Sequence, residues 1–407
     1  MKVLMINQPM SNRGDESAHR AFVRSLLKKM PEILITVVRV GISPDTIRQF
    51  KVDDERVVYV NLPRNKGYLK FAKLGLQKGL YFLWGILPTH RKLKKMILEA
   101  DVVISAPGGI CLGGFQNWEH LFLLKMVQRL NKKLVYYGRS FGPFKEESEL
   151  DRCFKKHSIE ILRYAFFLSI RDKKTEKIAC QLGIPYYPTV DSAFLETPRV
   201  KIPKEMVSAI EGCPYIVFVP NLLIWHYAFR GKITKEEILD FYGGILTATL
   251  EKYPGRKVVM LPQTYNQGSK DGNDINFFKD FEQYVNNPAI IVAPDSYSSD
   301  IQQSVIAGAD LVIGARYHSV IFAINNNVPF IALSYEHKIA GMLETLGKQG
   351  CMVDVSTALF DRASRMKCIS DFGSMVGHAQ SDMECCKKAK KYAQNCFRKF
   401  LDQMRDV

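Results

Sequence analysis

The chain opens on a short apolar run, Lys2-Val3-Leu4-Met5-Ile6, that gives way at once to a polar loop. The same pattern recurs at 33–40 (ILITVVRV), 101–106 (DVVISA), 133–138 (KLVYYG) and 166–171 (FFLSIR). Between several of these runs, apolar residues fall at three- and four-residue spacing, which predicts helices over 16–30, 89–100, 116–131, 146–165 and 172–182. A second series follows. Strands are expected at 215–220, 257–261, 289–293, 310–314 and 329–333, and helices at 234–253, 273–286, 298–308, 317–326 and 336–346. Strand runs without polar alternation, separated by helices, argue for parallel sheets covered on both faces.

The Pro-punctuated stretch ETPRVKIPKEM (196–206) reads as the linker between the two series. The expected fold class is therefore α/β, with two Rossmann-like doubly wound domains facing a cleft. The domains are placed at 1–197 and 198–375, with a closing C-terminal helix in 376–407. In that helix Ala389, Tyr392, Ala393, Cys396, Phe397 and Phe400 recur at helical spacing among lysines and arginines.

The length of 407 residues exceeds one ordinary core, and 47% hydrophobic against 24% charged residues describes a folded globular chain. The 57 Lys and Arg against 41 Asp and Glu give +16, which favours anionic partners. Nucleic acid is not the expected one, because the cations are dispersed and no aromatic series or recognition motif interleaves them. Nine scattered cysteines without a C-x-x-C pair read as reduced thiols, and the eight histidines do not join them at zinc-ligand spacing, so no metal is expected. The opening MKVLMINQP reads as a strand rather than an export signal, and a cytoplasmic protein is expected.

The longest apolar stretch, GLYFLWGIL (79–87), is far short of the about 20 residues that span a bilayer. Lys70, Lys73, Lys78 and HRKLKK (90–95) flank it. Two readings stand: a packed amphipathic helix with a solvated basic face, or a peripheral patch touching anionic lipid at the inner face of the membrane.

In doubly wound sheets ligands sit beyond the carboxyl ends of the strands. There Asn12, Gly14 and Asp15 open a helix whose backbone N–H groups can bind an anion, although Asp15 or Ser17 serves equally as a plain N-cap. No G-x-G-x-x-G follows the first strand, which speaks against a dinucleotide. Gly108 and Gly109 (APGGICLGG) permit either close approach of a ligand or a tight turn. Arg139 and Ser140 stand at another strand end. Arg171 either points into the cleft or pairs with Asp172, which can cap the next helix, and Asp191 is a cap or a substrate ligand. Gln263 and Asp271 lie in a polar loop suited to sugar hydroxyls.

The segment GARYHS (314–319) places Arg316 and His318 on a first helical turn directly after a strand. The positive helix end favours a neutral imidazole that still exchanges protons near neutral pH, and Arg316 is a fixed, bidentate cation for carboxylate or phosphate. Lys338 follows the next strand. Taken alone, His318 reads as a structural histidine. The three together read as an anion site containing an acid–base group.

The run GARYHSVIFAINNNVPFIALSYEHKIAGMLETLG (314–347) resembles the signature of the polysaccharide pyruvyl transferase family: an Arg-x-His-Ser helix start, an Ala-rich helix, a Pro before the next strand, then Tyr-x-x-Lys. The resemblance continues through SNRGDES (11–17), PGG (107–109), GRSFGP (138–143), SIRDKKT (169–175) and VDSAF (190–194). It departs at NQPMSN, where a glycine is usual, and the segments 40–95 and 220–235 match no part of the pattern.

The resemblance implies a glycosyltransferase-B-like fold and transfer of the enolpyruvyl unit of phosphoenolpyruvate onto a sugar as a cyclic ketal, with no cofactor. The acceptor would be a sugar of a surface polysaccharide (exopolysaccharide or capsule) or of its polyprenyl-pyrophosphate-linked precursor. It further implies His318 as general acid/base, with Arg316 as the second catalytic residue. Arg316, Lys338 and Ser319 would bind the donor with Arg171 reaching from the first domain, and Asn12, Gly14, Asp15, Gly108, Gly109, Asp191 and Gln263 would stand on the acceptor side or its loops. The alternative is a glycosyltransferase of the same fold that uses a nucleotide sugar.

Overall fold

The computed structural model describes residues 1–226, 228–265, 272–335 and 337–405. The chain forms two α/β units. The first comprises Met1–Met10, Ala18–Leu195 and Lys391–Val407, and the second Ser11–Ser17 and Glu196–Lys390.

The strands of the first unit are β1 (Lys2–Ile6), β2 (Leu34–Val40), β3 (Val57–Leu62), β4 (Val102–Ser105), β5 (Gly108–Leu112), β6 (Lys133–Tyr136), β7 (Arg139–Phe141), β8 (Phe167–Ile170) and β9 (Tyr187–Pro188). Seven of them make a parallel sheet in the order β3-β2-β1-β4-β6-β8-β9, while β5 and β7 pair separately. Alternate residues of a strand face opposite sides, and both sides are covered. Leu4, Ile6 and Val103 pack with Leu121 and Phe122, whereas Val3, Met5 and Ile104 pack with Phe22 and Leu26. The latter layer is completed by the helix Met383–Arg405, whose Phe397, Phe400 and Met404 are buried in it. Tyr392, expected on this stripe, is instead 37% exposed.

The second unit carries β10 (Tyr215–Val219), β11 (Lys257–Met260), β12 (Ile290–Val292), β13 (Leu311–Gly314), β14 (Phe330–Ser334) and β15 (Met352–Asp354). Its sheet is parallel throughout, in the order β12-β11-β10-β13-β14-β15. The order reverses between β10 and β13, and such switch points are where open α/β sheets place ligands.

Both units are Rossmann-like and doubly wound, as the pattern predicts. Strand β3 and the helices Pro44–Phe50, Tyr68–Lys78 and Arg362–Val376 lie outside the predicted elements. Strand β3 stands at the sheet edge, with Val58 54% exposed, so it lacks the unbroken apolar burial of its neighbours.

Ser11–Ser17, which the sequence assigns to the first domain, belongs to the second unit. Its backbone is the reason. Asn12 bridges antiparallel to Thr264, Tyr265 N–H donates to the Ser11 carbonyl at 3.1 Å, and Arg13 N–H donates to the Gln263 carbonyl at 2.8 Å. The nine cysteines are free thiols. Among the described residues no helix is long and apolar enough to cross a membrane.

Burial keeps three of the first unit's buried histidines neutral. Burial, reinforced by Arg20 and Arg24, lowers His19 from 6.5 to about 3, and burial takes His90 down to about 4. Burial, with Arg139 and Arg39 nearby, also holds His120 well below its ordinary value. The unfolded chain binds protons at these rings below pH 6.5 where the folded chain does not, so their neutral form stabilises the fold fully above that pH. The loss on acidification is about 1.4 kcal/mol per ring and pH unit. Urea midpoints are therefore expected to hold steady above about pH 7 and to fall steeply toward about pH 5. His19→Gln, which keeps a partner for Tyr59 (2.8 Å from His19 Nε2), flattens that fall. An unchanged slope in the variant would contradict the assignment.

Candidate active site

Strand β13 ends at Gly314, paired with Val219 at the end of β10. Arg316 is the N-cap of the following helix, Tyr317–Asn325, with extended backbone (φ −95°, ψ 133°), so its side chain and that of His318 leave the sheet at the switch point. The helix beneath is buried along Ser319–Asn325, which anchors this first turn.

Asp274 fixes the arginine. It begins the helix Asp274–Val285, is 2% exposed, and accepts the backbone N–H groups of Gln263 and Thr264, each at 2.9 Å. Its other oxygen takes Arg316 Nη2, which also donates to Thr264 Oγ1 at 2.9 Å. Burial alone would lower the Arg316 pKa; the Asp274 carboxylate outweighs it and raises the guanidinium above its ordinary value. The Trp225 ring, 44% exposed, lies 5.9 Å from the guanidinium carbon.

His318 is half-buried, with the Tyr317 and Phe322 ring centroids at 5.0 and 6.2 Å. Gly14 also adjoins it: a Cβ there would fall 1.8 Å from His318 Nδ1, so only glycine lets the ring sit where it does. Gly14 is held by its flanks. Arg13 and Glu16 form an ion pair at 2.6 Å with side chains 1% and 0% exposed. Glu16 also accepts Ser299 N–H at 3.1 Å and Ser299 Oγ at 3.3 Å, while Arg13 donates to the Asp295 carbonyl at 2.5 Å and lies 4.1 Å over the Tyr265 ring. Gln303 Nε2 donates to Ser17 Oγ at 3.1 Å.

Several predicted residues have structural duties. Asn12 is the cap that Asp15 or Ser17 was expected to be: its Oδ1 accepts Asp15 N–H at 2.7 Å and its amide nitrogen binds the Asp15 carboxylate. Ser319, expected at the donor, is fully buried and donates its hydroxyl to the Arg316 carbonyl at 2.6 Å. Arg171, expected to reach the donor, forms a buried ion pair with Asp191 inside the first unit. Asp172 caps Lys173–Gln181 and accepts Ser140 Oγ at 2.5 Å.

Arg139 is 1% exposed and donates to the carbonyls of Asn7 and Ala106 at 3.2 and 2.5 Å, across the reversal between β1 and β4. Gly108 makes room for it, since a Cβ there would lie 3.3 Å from Arg139 Nη1; Gly109 faces open space. Lys338 is half-buried on the first turn of His337–Leu346, directly after β14 and one strand from Arg316. Asp271 lies outside the described residues.

Three groups at this edge of the second sheet are buried without a hydrogen-bond partner among the described residues: Arg316 Nε, Gln263 Nε2 and both ends of the Asn221 amide. Asn221 follows β10, is 0% exposed, and donates its backbone N–H to Tyr242 Oη at 3.3 Å. Native proteins pair nearly all such groups, and these three follow the neighbouring strands β10, β11 and β13. Sequence reasoning missed Arg13, Glu16, Asn221, Trp225 and Asp274. The i,i+3 charge pair inside SNRGDES is a readable signal for the first two, whereas Asn221 carries none.

Gly14→Ala is expected to displace the imidazole while leaving the fold intact. The imidazole proton resonances of His318, assigned against His318→Gln, should move while far-ultraviolet circular dichroism stays constant. Unmoved resonances would refute the close approach.

Comparison with known proteins gives the family and the fold. The family model described as polysaccharide pyruvyl transferase matches residues 12–337, a span that runs from the cap of the Gly14 turn past His318. The amylovoran biosynthesis protein AmsJ of Erwinia amylovora is 24% identical over 385 residues, covering 88% of this chain and 89% of that protein. Among solved structures, a UDP-N-acetylglucosamine 2-epimerase aligns over 100% of this chain and 96% of its own at 9% identity, with a TM-score of 0.58. The UDP-GlcNAc 2-epimerase of Neisseria meningitidis, solved with UDP-GlcNAc, covers 98% and 100% at 10% identity and a TM-score of 0.55. At those identities the shared property is the fold, which is glycosyltransferase-B-like. With the family match extending over most of its length, the chain belongs to the polysaccharide pyruvyl transferase family.

Proposed function

We propose that the second unit binds phosphoenolpyruvate at the β10–β13 switch and transfers its three-carbon unit to two hydroxyls of one sugar as a cyclic ketal. Family membership makes the chain a transferase of polysaccharide biosynthesis; the donor, the ketal and the acceptor are our reading. The observation that carries it is the set of polar groups without a partner among the described residues, Arg316 Nε, Gln263 Nε2 and the Asn221 amide, near the turn that bears His318.

Phosphoenolpyruvate presents a carboxylate and a phosphate, so it calls for more than one cation together with neutral donors. Asp274 consumes one edge of Arg316 and orients the rest, and Lys338 supplies the second charge from the next strand end. His318 gives a proton to the enol methylene, which leaves an oxocarbenium-like centre at the adjacent carbon. One sugar hydroxyl adds there, the bond to the phosphate oxygen breaks, and the second hydroxyl closes the ring. Of the two hydroxyl protons, one replaces that given by His318 and the other leaves on phosphate. The donor is already activated, so the reaction calls on no further cofactor. Trp225 offers an exposed ring face to a sugar. The acceptor is a sugar of a surface polysaccharide or of its polyprenyl-pyrophosphate-linked precursor, modified in the cytoplasm where the donor is made.

The test is phosphate release from phosphoenolpyruvate with a panel of saccharide acceptors. His318→Ala should lower kcat by about 10²–10⁴-fold with little change in KM for phosphoenolpyruvate, as loss of a positioned acid–base group does. Arg316→Ala should raise that KM. Full phosphate release by a folded His318→Ala protein, or turnover of a UDP- or GDP-sugar in place of phosphoenolpyruvate, would overturn the reading.

A further inference from the structure

Residues 63–98 contain nine Lys or Arg and no Asp or Glu, so more than half of the chain's net +16 arises in this short stretch of the first unit. Two helices organise it. Tyr68–Lys78 buries Tyr68, Ala72, Gly75 and Leu76, and Pro88–Glu99 buries Thr89, His90, Leu93 and Ile97. Helical geometry then directs Lys70 and Lys78 on one helix, and Arg91, Lys94 and Lys95 on the other, away from those buried faces, and all five are exposed.

The connection between the helices is apolar, and it is not tucked away. Phe82 is 70% exposed, Ile86 49% and Leu80 37%, three large hydrophobic side chains within seven residues. The connection is nevertheless firmly held. Trp84, in the 3-10 turn Tyr81–Gly85, is buried, donates its indole N–H to the Phe71 carbonyl at 3.2 Å, and packs edge-on to Phe122 at 5.0 Å. Tyr81 lies 5.0 Å from Trp84 and under Arg129 at 3.9 Å. An inward anchor thus presents outward rings, inside a field of one sign.

We propose that this segment docks the protein on an anionic phospholipid bilayer, with Leu80, Phe82 and Ile86 entering the headgroup–acyl boundary and Lys78, Arg91, Lys94 and Lys95 meeting the phosphates. A soluble polyanion would use the cations and leave the apolar side chains in water. A bilayer uses both, which is the signature of an interfacial element. The inference goes beyond pyruvyl transfer and does not depend on it, since binding is measured without donor or acceptor.

The experiment is co-sedimentation of the full-length protein with vesicles of phosphatidylcholine alone or of phosphatidylcholine mixed with phosphatidylglycerol. Binding is expected to the mixed vesicles only and to weaken as salt rises. Phe82→Ser with Ile86→Ser should lower partitioning by about tenfold or more. Each cation removed by Lys94→Gln or Lys95→Gln should lower it about fivefold. These positions are exposed, so melting temperature and phosphate release with a soluble acceptor should match the parent protein. Absence of binding, equal binding to both vesicle types, or binding that Phe82→Ser with Ile86→Ser leaves unchanged would overturn the proposal. The last outcome would mark a purely electrostatic site for a soluble polyanion.

Discussion

A charge pair sealed from water, Arg13 with Glu16, is the constraint on which the second unit's site depends. Removing two charges from solvent costs several kcal/mol each, and their attraction offsets this only where further hydrogen bonds satisfy the remaining atoms. Several such bonds are present. Glu16 takes both donors of Ser299, at the positive end of the helix Ser299–Ile306, and Arg13 has a carbonyl and an aromatic face. Such a pair tolerates few alternative placements. It therefore specifies where the turn between its members lies, and within that turn is Gly14, under the imidazole of His318.

The same logic separates arginines that hold structure from one that keeps capacity for a ligand. Arg171 is paired with Asp191, and Arg139 donates to two carbonyls, so both have their charge engaged inside the first unit. Arg316 is also paired, but Asp274 engages only one of its nitrogens and itself is tied to the Gln263–Thr264 backbone. The guanidinium is thus aimed, and among the described residues its Nε has no hydrogen-bond partner. Pre-aimed donors of this kind lose little freedom when a substrate arrives, which is how positioning contributes to catalysis.

The strands with unbroken apolar runs, such as Tyr215–Val219 and Leu311–Gly314, were legible because a parallel sheet buries both of their faces. The edge strand Val57–Leu62 and the short terminal strand Met352–Asp354 were not, since half-solvated strands relax that demand. Arg316 and His318 were legible by residue type and by their place just past a strand. Asp274 was not, because what gives it meaning is an arginine 42 positions later. The same distance hid the ion-pair partner of Arg171, which stands 20 residues on. Ser319 looked like a ligand group, yet a hydroxyl at that point of a helix can turn back on the carbonyl three residues earlier, and here it does.

The assignment of Ser11–Ser17 and Lys391–Val407 to the units opposite their neighbours in sequence bears on how such a chain can be divided and inherited. No single scission yields either half as one continuous fragment: a cut at the linker carries the Gly14 turn off with the wrong piece and strips the first unit of Phe397 and Phe400. Recombination that swaps one half between relatives must import two small patches from elsewhere in the gene or leave an imidazole without its floor. The Gly14 turn and the ring above it are thereby tied to the inheritance of both halves.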